Sequence, residues 1–383
     1  MNVGRRMLFN CPQGAFDLIR LPLRPNELLQ PFDAADEYLL THLAEQGLPK
    51  AGSRVLIVND SFGALAVALS DYRPDAVSDS FLSHRATEIN LEKNGKTRDS
   101  TRLLHSLEPL QGSYDLVLIK IPKTLGLLEH QLISLHGHLQ PDAQVILAGM
   151  VKMLPGSVWQ LAERLLGPTT TALARKKAKL IFAKPIPRDD PPPNPYPVRY
   201  RLENTGFRIV NHANVFSRDS LDIGTRFFLR HLPEGLGRSE IVDLGCGNGV
   251  VGLIAARRNP EAVLHFIDES YMAVASAKEN FEAAFGTERK ATFQVGDGLK
   301  AFSSESADLI LCNPPFHQQY LQGDQIAVGM FRDAKRVLRR DGELWVIGNR
   351  HLNYHAVLDR LFGGCSGVAA NPKFVIHKTR KRR

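Results

Sequence analysis

The segment richest in chemistry runs Asp308-Leu309-Ile310-Leu311-Cys312-Asn313-Pro314-Pro315-Phe316, an apolar strand ending in Asn-Pro-Pro-aromatic. Proline fixes its own φ and restricts the residue before it, so this corner is stiff. The Asn313 side-chain oxygen and the Pro314 carbonyl can then face one point. Two acceptors suit a planar exocyclic NH2 group, which has two donors, and Phe316 offers a π-face for the base that carries the amine. Upstream, the strand 241–244 runs into Gly245-Cys246-Gly247-Asn248-Gly249. Glycine at alternate positions lets the backbone touch a ligand, but Val250 stands where a dinucleotide loop would have its third glycine, which weakens a pyrophosphate reading. Asp268 closes the next strand, where a carboxylate can accept both hydroxyls of a ribose, and Asp297 ends a third, placed to accept from an adenine amine. Each acid alone reads as a cap or turn former. At successive strand ends beside a glycine loop they read together as a nucleoside pocket.

Other reactive side chains add little. His317 and His351 lie near these positions, but capture of an aryl amine needs no strong base, so both are expected to be bystanders. Cys246 and Cys312 sit among apolar residues and read as small buried hydrophobes. The four cysteines are far apart with no C-x-x-C, so neither a metal site nor a disulfide framework is expected. No window approaches the ~18 apolar residues of a membrane helix, and the basic start lacks a long apolar stretch, which implies a cytoplasmic protein with no membrane partner. Lysine and arginine number 48 against 40 acids, a net charge of +8, with the excess clustered at 175–179 and 378–383. A polyanionic partner is favoured over a merely solvated basic face.

Such residues need a scaffold that brings several strand ends to one edge. Both halves alternate apolar strands with helical stretches; in the second, strand 241–244 precedes a helix over about 248–258 and a strand over 263–267. That pattern predicts an α/β fold with a mostly parallel sheet. Three segments recur in order: 113–123 matches 306–316, 139–149 matches 338–348, and 54–69 resembles the stretch from 239 onward. An internal duplication follows, giving two tandem Rossmann-like domains. Between them, Pro185 to Pro197 holds seven prolines in thirteen residues, a semi-rigid linker that cannot lie inside a helix or central strand. The expected domains are 1–184 and 198–383, joined by 185–197.

The order Asp243, Gly245-Cys246-Gly247-Asn248-Gly249, Asp268, Asp297, Asn313-Pro314-Pro315-Phe316 resembles class I S-adenosylmethionine-dependent methyltransferases of the amino-methylating branch. The whole chain resembles the bacterial ribosomal RNA guanine-N2 methyltransferases, whose degenerate N-terminal methyltransferase-like domain precedes an active C-terminal one. The segment Phe216-Ser217 to Leu221-Asp222-Ile223-Gly224-Thr225 resembles a family stretch that lies over the cofactor. The resemblance implies S-adenosyl-L-methionine held by Asp243, Gly245, Gly247, Asn248, Gly249, Asp268 and Asp297, with Asp222, Gly224 and Thr225 as secondary contacts. It implies catalysis by Asn313, Pro314, Pro315 and Phe316 on the N2 amine of a guanine in ribosomal RNA, 23S before 16S. Oligomeric state stays open, although the tandem pair inside one chain could substitute for a homodimer, which favours a monomer with an internal pseudo-dimer. The first half departs from the pattern: Asn59-Asp60-Ser61-Phe62-Gly63 replaces the glycine loop and Lys120-Ile121-Pro122-Lys123 replaces the catalytic corner. The expected result is a lost catalytic site whose two added cations favour phosphate, leaving an RNA-holding domain. Because the corner fixes the reacting group and not the polymer, DNA adenine and protein glutamine stay open as targets. A non-catalytic RNA-binding assembly factor is the reading from another class.

Overall fold

Central strands in both halves are unbroken runs of Val, Ile and Leu, the pattern of parallel strands covered by helices on both faces. The computed structural model describes residues 7–23, 27–188, 190, 192–315 and 320–382. It divides into two units, Met1–Tyr196 and Pro197–Arg383.

The first unit opens with a hairpin, β1 (Met7–Cys11) and β2 (Gly14–Leu18), followed by α1 (Ala34–Glu45). Then come β3 (Val55–Val58), α2 (Ala64–Ala68), β4 (Asp75–Ser78), α3 (Phe81–Lys93), β5 (Arg102–His105), β6 (Tyr114–Lys120), α4 (Leu125–Ser134), β7 (Leu139–Met150), α5 (Gly156–Leu165), β8 (Thr169–Thr171) and β9 (Ala178–Ala183). Seven of these strands form one sheet in the order β5-β4-β3-β6-β7-β9-β8, in which β9 alone runs against the others and pairs antiparallel with β7 and β8.

The second unit repeats the plan: hairpin β10 (Val198–Arg201) and β11 (Arg208–Asn211), α6 (Ile223–Leu229), β12 (Glu240–Leu244), α7 (Val250–Arg258), β13 (Val263–Asp268), α8 (Tyr271–Phe285) and β14 (Ala291–Val295). It continues with β15 (Ala307–Cys312), α9 (Tyr320–Val337), β16 (Leu338–Asn349), α10 (Tyr354–Phe362), β17 (Ser366–Ala370) and β18 (Phe374–Arg380). Its sheet runs β14-β13-β12-β15-β16-β18-β17, the same order. Two tandem Rossmann-like sheets are thus present, each with apolar cores on both faces. Strand order reverses beside β12, and ligands of such sheets bind outside the carboxyl ends of the strands at that point.

Helix α7 starts at Val250, directly after the glycine loop, because Gly249 takes φ +77° as its cap. A Cβ there would also lie 2.8 Å from the Ala277 Cβ, so both conformation and space demand glycine. The proline-rich run packs on the first unit: the Ile186 N–H donates to the Leu166 carbonyl at 2.8 Å and the Tyr196 hydroxyl to Glu129 at 2.9 Å. Among the described residues no helix is long and apolar enough to cross a membrane.

Candidate active site at the strand ends of the second unit

Asp243, the penultimate residue of β12, is buried, and its carboxylate accepts from the Gly252 N–H at 2.7 Å. Burial pushes its carboxyl up to about 8, against the Gly252 hydrogen bond and with some help from neighbouring Asp268. Asp268 ends β13. Its Oδ2 accepts from the Gly247 N–H at 2.9 Å and its Oδ1 from the Ser270 N–H at 3.1 Å. Burial raises this carboxyl as well, and only backbone amides oppose the shift. Such a carboxylate is under-solvated and has lone pairs to spare, the state in which it gains most from hydroxyl donors such as those of a ribose. Gly247 has φ +53°, and a Cβ built on it meets nothing within 4 Å, so the loop borders open space at that point. The loop and Asp268 therefore fit a nucleoside donor such as S-adenosylmethionine.

Asp297 lies beside them, since the Gly296 N–H donates to the Asp268 carbonyl at 2.9 Å. One of its carboxylate oxygens is ion-paired with Lys300, a turn later. Asn248 is buried and faces away from the open side. Its amide NH2 donates to Asn211 Oδ1 at 2.8 Å and reaches the Tyr200 hydroxyl at 3.5 Å, and its Oδ1 accepts from the Val250 N–H. Asn248 thus ties the loop to the β10–β11 hairpin.

The corner after β15 places Asn313 against α6. Asp222 caps that helix, its Oδ2 accepting from the Thr225 N–H at 2.8 Å and from the Thr225 hydroxyl at 3.2 Å. The Thr225 oxygen in turn accepts from Asn313 Nδ2 at 3.0 Å. This relay sets the amide flip, because a hydroxyl whose proton is committed to a carboxylate can only accept from the amide. Asn313 Oδ1 is left pointing elsewhere, buried and without a hydrogen-bond partner among the described residues. A buried acceptor left bare costs roughly 1–3 kcal/mol, which a ligand N–H would recover. Pro314 is buried and Pro315 exposed. Phe316 and His317 lie outside the described residues, and His351 sits exposed in the turn after β16. Gly224 packs under the Phe374 ring, where a Cβ would lie 3.0 Å from its edge. Cys246 and Cys312 are buried, and burial pushes both thiols upward, which suits neither for nucleophilic work.

One expectation about charge is overturned at Lys120, while Lys123 of the same corner stays exposed. Lys120 does not present a cation to phosphate: its ammonium is buried, 2.7 Å from Asp33 Oδ1 and 2.6 Å from Asp36 Oδ1. An unpaired buried ammonium is too costly to keep, so the fold supplies it with carboxylates. The basic clusters are partly paired, while Lys177 and Arg382 stay exposed with no acid paired to them among the described residues. Arg175 pairs with Glu45 at 2.9 Å, Lys176 with Glu37 at 2.7 Å, and Lys179 lies over the Trp159 ring. In the C-terminal cluster, Lys378 and Arg380 share Glu343, and Lys381 donates to Glu305 and the Leu338 carbonyl.

Sequence reasoning missed the buried asparagines that fasten hairpin to loop. Asn280 accepts from the Val210 N–H at 2.7 Å and donates to the carbonyls of Val210 and Asn248, both at 2.9 Å. Asn90 does the same in the first unit, with Ile19 and Phe62. An asparagine at the tenth position of the matching helix in both halves, Asn90 in α3 and Asn280 in α8, was the available signal.

Comparison with known proteins adds the following. Residues 6–187 match the family model described as RLMG N-terminal domain, and residues 206–378 match that of the methyltransferase small domain. The ribosomal RNA large subunit methyltransferase G of Ectopseudomonas mendocina is 54% identical over 98% of this chain and 100% of its own. The protein of the same description from Pseudomonas fluorescens (strain Pf0-1) is 53% identical over the same shares. Among solved structures, a T. thermophilus 16S rRNA N2 methyltransferase in complex with AdoMet and guanosine superposes with a TM-score of 0.76 at 22% identity, covering 99% of this chain and 98% of its own. That last likeness is one of fold.

Proposed function

The chain belongs to the ribosomal RNA large subunit methyltransferase G family, and from that premise we propose that its second unit methylates the exocyclic N2 amine of one guanine in large-subunit ribosomal RNA. It is an S-adenosylmethionine-dependent ribosomal RNA methyltransferase. The position on the base, the residues and the placement in the cytoplasm as a monomer with an internal pseudo-dimer are our reading. One observation carries it: the bare, buried Asn313 Oδ1, with its amide orientation fixed by Thr225.

The sulfonium donor, when bound, supplies an already activated methyl group, so no covalent enzyme intermediate is needed. Asp268 would hold the ribose hydroxyls and Asp297 the adenine amine, and the backbone at Gly245, Gly247 and Gly249 would line the remainder. A guanine N2 is a poor nucleophile because its lone pair is delocalised into the ring. Asn313 Oδ1 accepts one of its N–H groups and the Pro314 carbonyl the other, which turns the lone pair toward the methyl. As the nitrogen gains positive charge its N–H groups become stronger donors, and these hydrogen bonds tighten in the transition state more than in the ground state. Pro315 stiffens the corner and Phe316 supplies the stacking face. The proton then leaves to water.

The test is transfer of labelled methyl to large-subunit RNA followed by nucleoside analysis. Label is expected as N2-methylguanosine; label in any other nucleoside rejects the assignment. Asn313→Ala should cut turnover roughly 100- to 1,000-fold while calorimetric affinity for S-adenosylmethionine stays near wild type, and full turnover removes Asn313 from the mechanism.

A further inference from the structure

Several cations of the two clusters that composition singled out are already paired, Arg175 with Glu45, Lys176 with Glu37 and Lys381 with Glu305, whereas another group of cations in the second unit has no acidic partner. Strand β10 reads Val198-Arg199-Tyr200-Arg201 and pairs antiparallel with Arg208-Ile209-Val210-Asn211, Arg201 lying opposite Arg208 and Tyr200 opposite Ile209. Alternation puts Tyr200, Ile209 and Asn211 on the inner face and Arg199, Arg201 and Arg208 together on the outer one. All three arginines are exposed, and none has an ion-pair partner among the described residues. The nearby acids are committed, Glu203 to Arg226 at 2.9 Å and Glu279 to His212 at 2.7 Å. Like charges directly opposite across a strand pair are destabilising, so an Arg201–Arg208 pair with no acid between them is poorly explained by folding alone. It is explained by an anion that arrives later. The equivalent hairpin of the first unit, fastened to its helix by the same asparagine device, carries Leu8, Asn10, Ala15 and Asp17 on that face and no cation.

We propose that the outer face of the β10–β11 hairpin grips the phosphate backbone of the substrate RNA. The inference rests on the methyltransferase reading above and adds to it the surface that sets the register of the RNA. The inner face of the same hairpin holds the glycine loop through Asn211, Tyr200 and Asn280. Phosphate contacts position without reading sequence, so a grip on one face of a two-stranded ribbon whose other face holds the donor loop fixes the backbone of the RNA relative to the donor. Arginine suits this role, because its planar fork holds phosphate oxygens in pairs.

The experiment uses the full chain, with large-subunit RNA and intact large subunits from a strain lacking the protein. The variant Arg199→Gln/Arg201→Gln/Arg208→Gln removes three contacts. Its log–log salt dependence of RNA affinity should become shallower by about 2 to 3 units, and affinity at moderate salt should fall roughly 10- to 100-fold. Calorimetric affinity for S-adenosylmethionine should stay unchanged, which shows that the loop is intact. The lysine triple variant keeps the charge and should retain most of the slope. Neutralising Arg175, Lys176 and Arg380, which are already paired, should move the slope by less than about 1 unit. An unchanged slope in the glutamine variant, or a larger loss from the paired cations, overturns the proposal. Failure of the wild-type chain to methylate either substrate sinks the underlying reading instead, whatever the hairpin does.

Discussion

The two units place different chemistry on one sheet order. In the second unit, Asp222 and Thr225, the cap and third residue of α6, relay to Asn313 at the end of β15. In the first, Asp33 and Asp36 hold the same positions in α1 and clamp Lys120, the residue equivalent to Asn313. A polar relay that leaves one acceptor bare has become an ion triad that leaves nothing over. The cofactor side has changed in parallel. Strand registers equate Ser78 with Asp268 and Leu107 with Asp297, so the first unit lacks both acids. Its loop substitutes Asn59, which exchanges amide hydrogen bonds with Gln131, and Asp60, whose carboxylate takes the amides of Gly63, Ala64, Leu65 and Ala66. Those amides form a helix start, where an anion is favoured, and the chain supplies its own. A site is therefore disabled most stably by satisfying its exposed polar groups internally.

Three variants put this contrast under strain. Lys120→Met should destabilise the first unit by about 3–5 kcal/mol, since it strands two carboxylates, one of them, Asp36, fully buried. Adding Asp36→Leu should recover most of that loss in urea unfolding; a silent Lys120→Met would mean that the triad is not what holds the corner closed. Thr225→Val should lower kcat about tenfold with RNA and donor affinities unchanged, and Thr225→Ser should restore it. If donor affinity falls instead, Thr225 touches the cofactor directly, as the family resemblance implied, and the relay is secondary. The smallest effect concerns Asp243, whose equivalent in the first unit is Ile57. Its folded carboxyl is raised to about 8, so the stability it confers is complete below the ordinary carboxylate range and is lost as pH climbs through that value. Asp243→Asn, which keeps an acceptor for Gly252, should flatten the decline of the urea midpoint between about pH 4 and about pH 8; an unchanged profile would assign the pH dependence to another group.

Much of the site was legible because its signals are local. A glycine loop, an acid at a strand end and a diproline corner each declare a backbone conformation within a few residues, and the alternation of strands and helices implies a parallel sheet that gathers their ends. The helix start is less sharp in the sequence, about 248 against the observed Val250, because only the left-handed φ of Gly249 shows where the loop stops. The charge pattern points to a polyanionic partner, as the ribosomal RNA methyltransferase relatives bear out, but it does not say which cations are already paired. Clusters such as 175–179 were counted along the chain, whereas the partners that neutralise them lie far away in it: Glu45 is 130 positions from Arg175, and Asp33 is 87 from Lys120.

By itself the sequence determined the two repeated α/β units, the strand ends that carry polar groups and the stiff corner with its amide, because proline, glycine and apolar periodicity act over a few bonds. Only the tertiary structure decided which of these groups remain available. Asn313 is oriented by a threonine 88 positions earlier, Lys120 is silenced by a helix cap, and three hairpin arginines stay unpaired, since desolvation and charge pairing depend on distance through space and not along the chain.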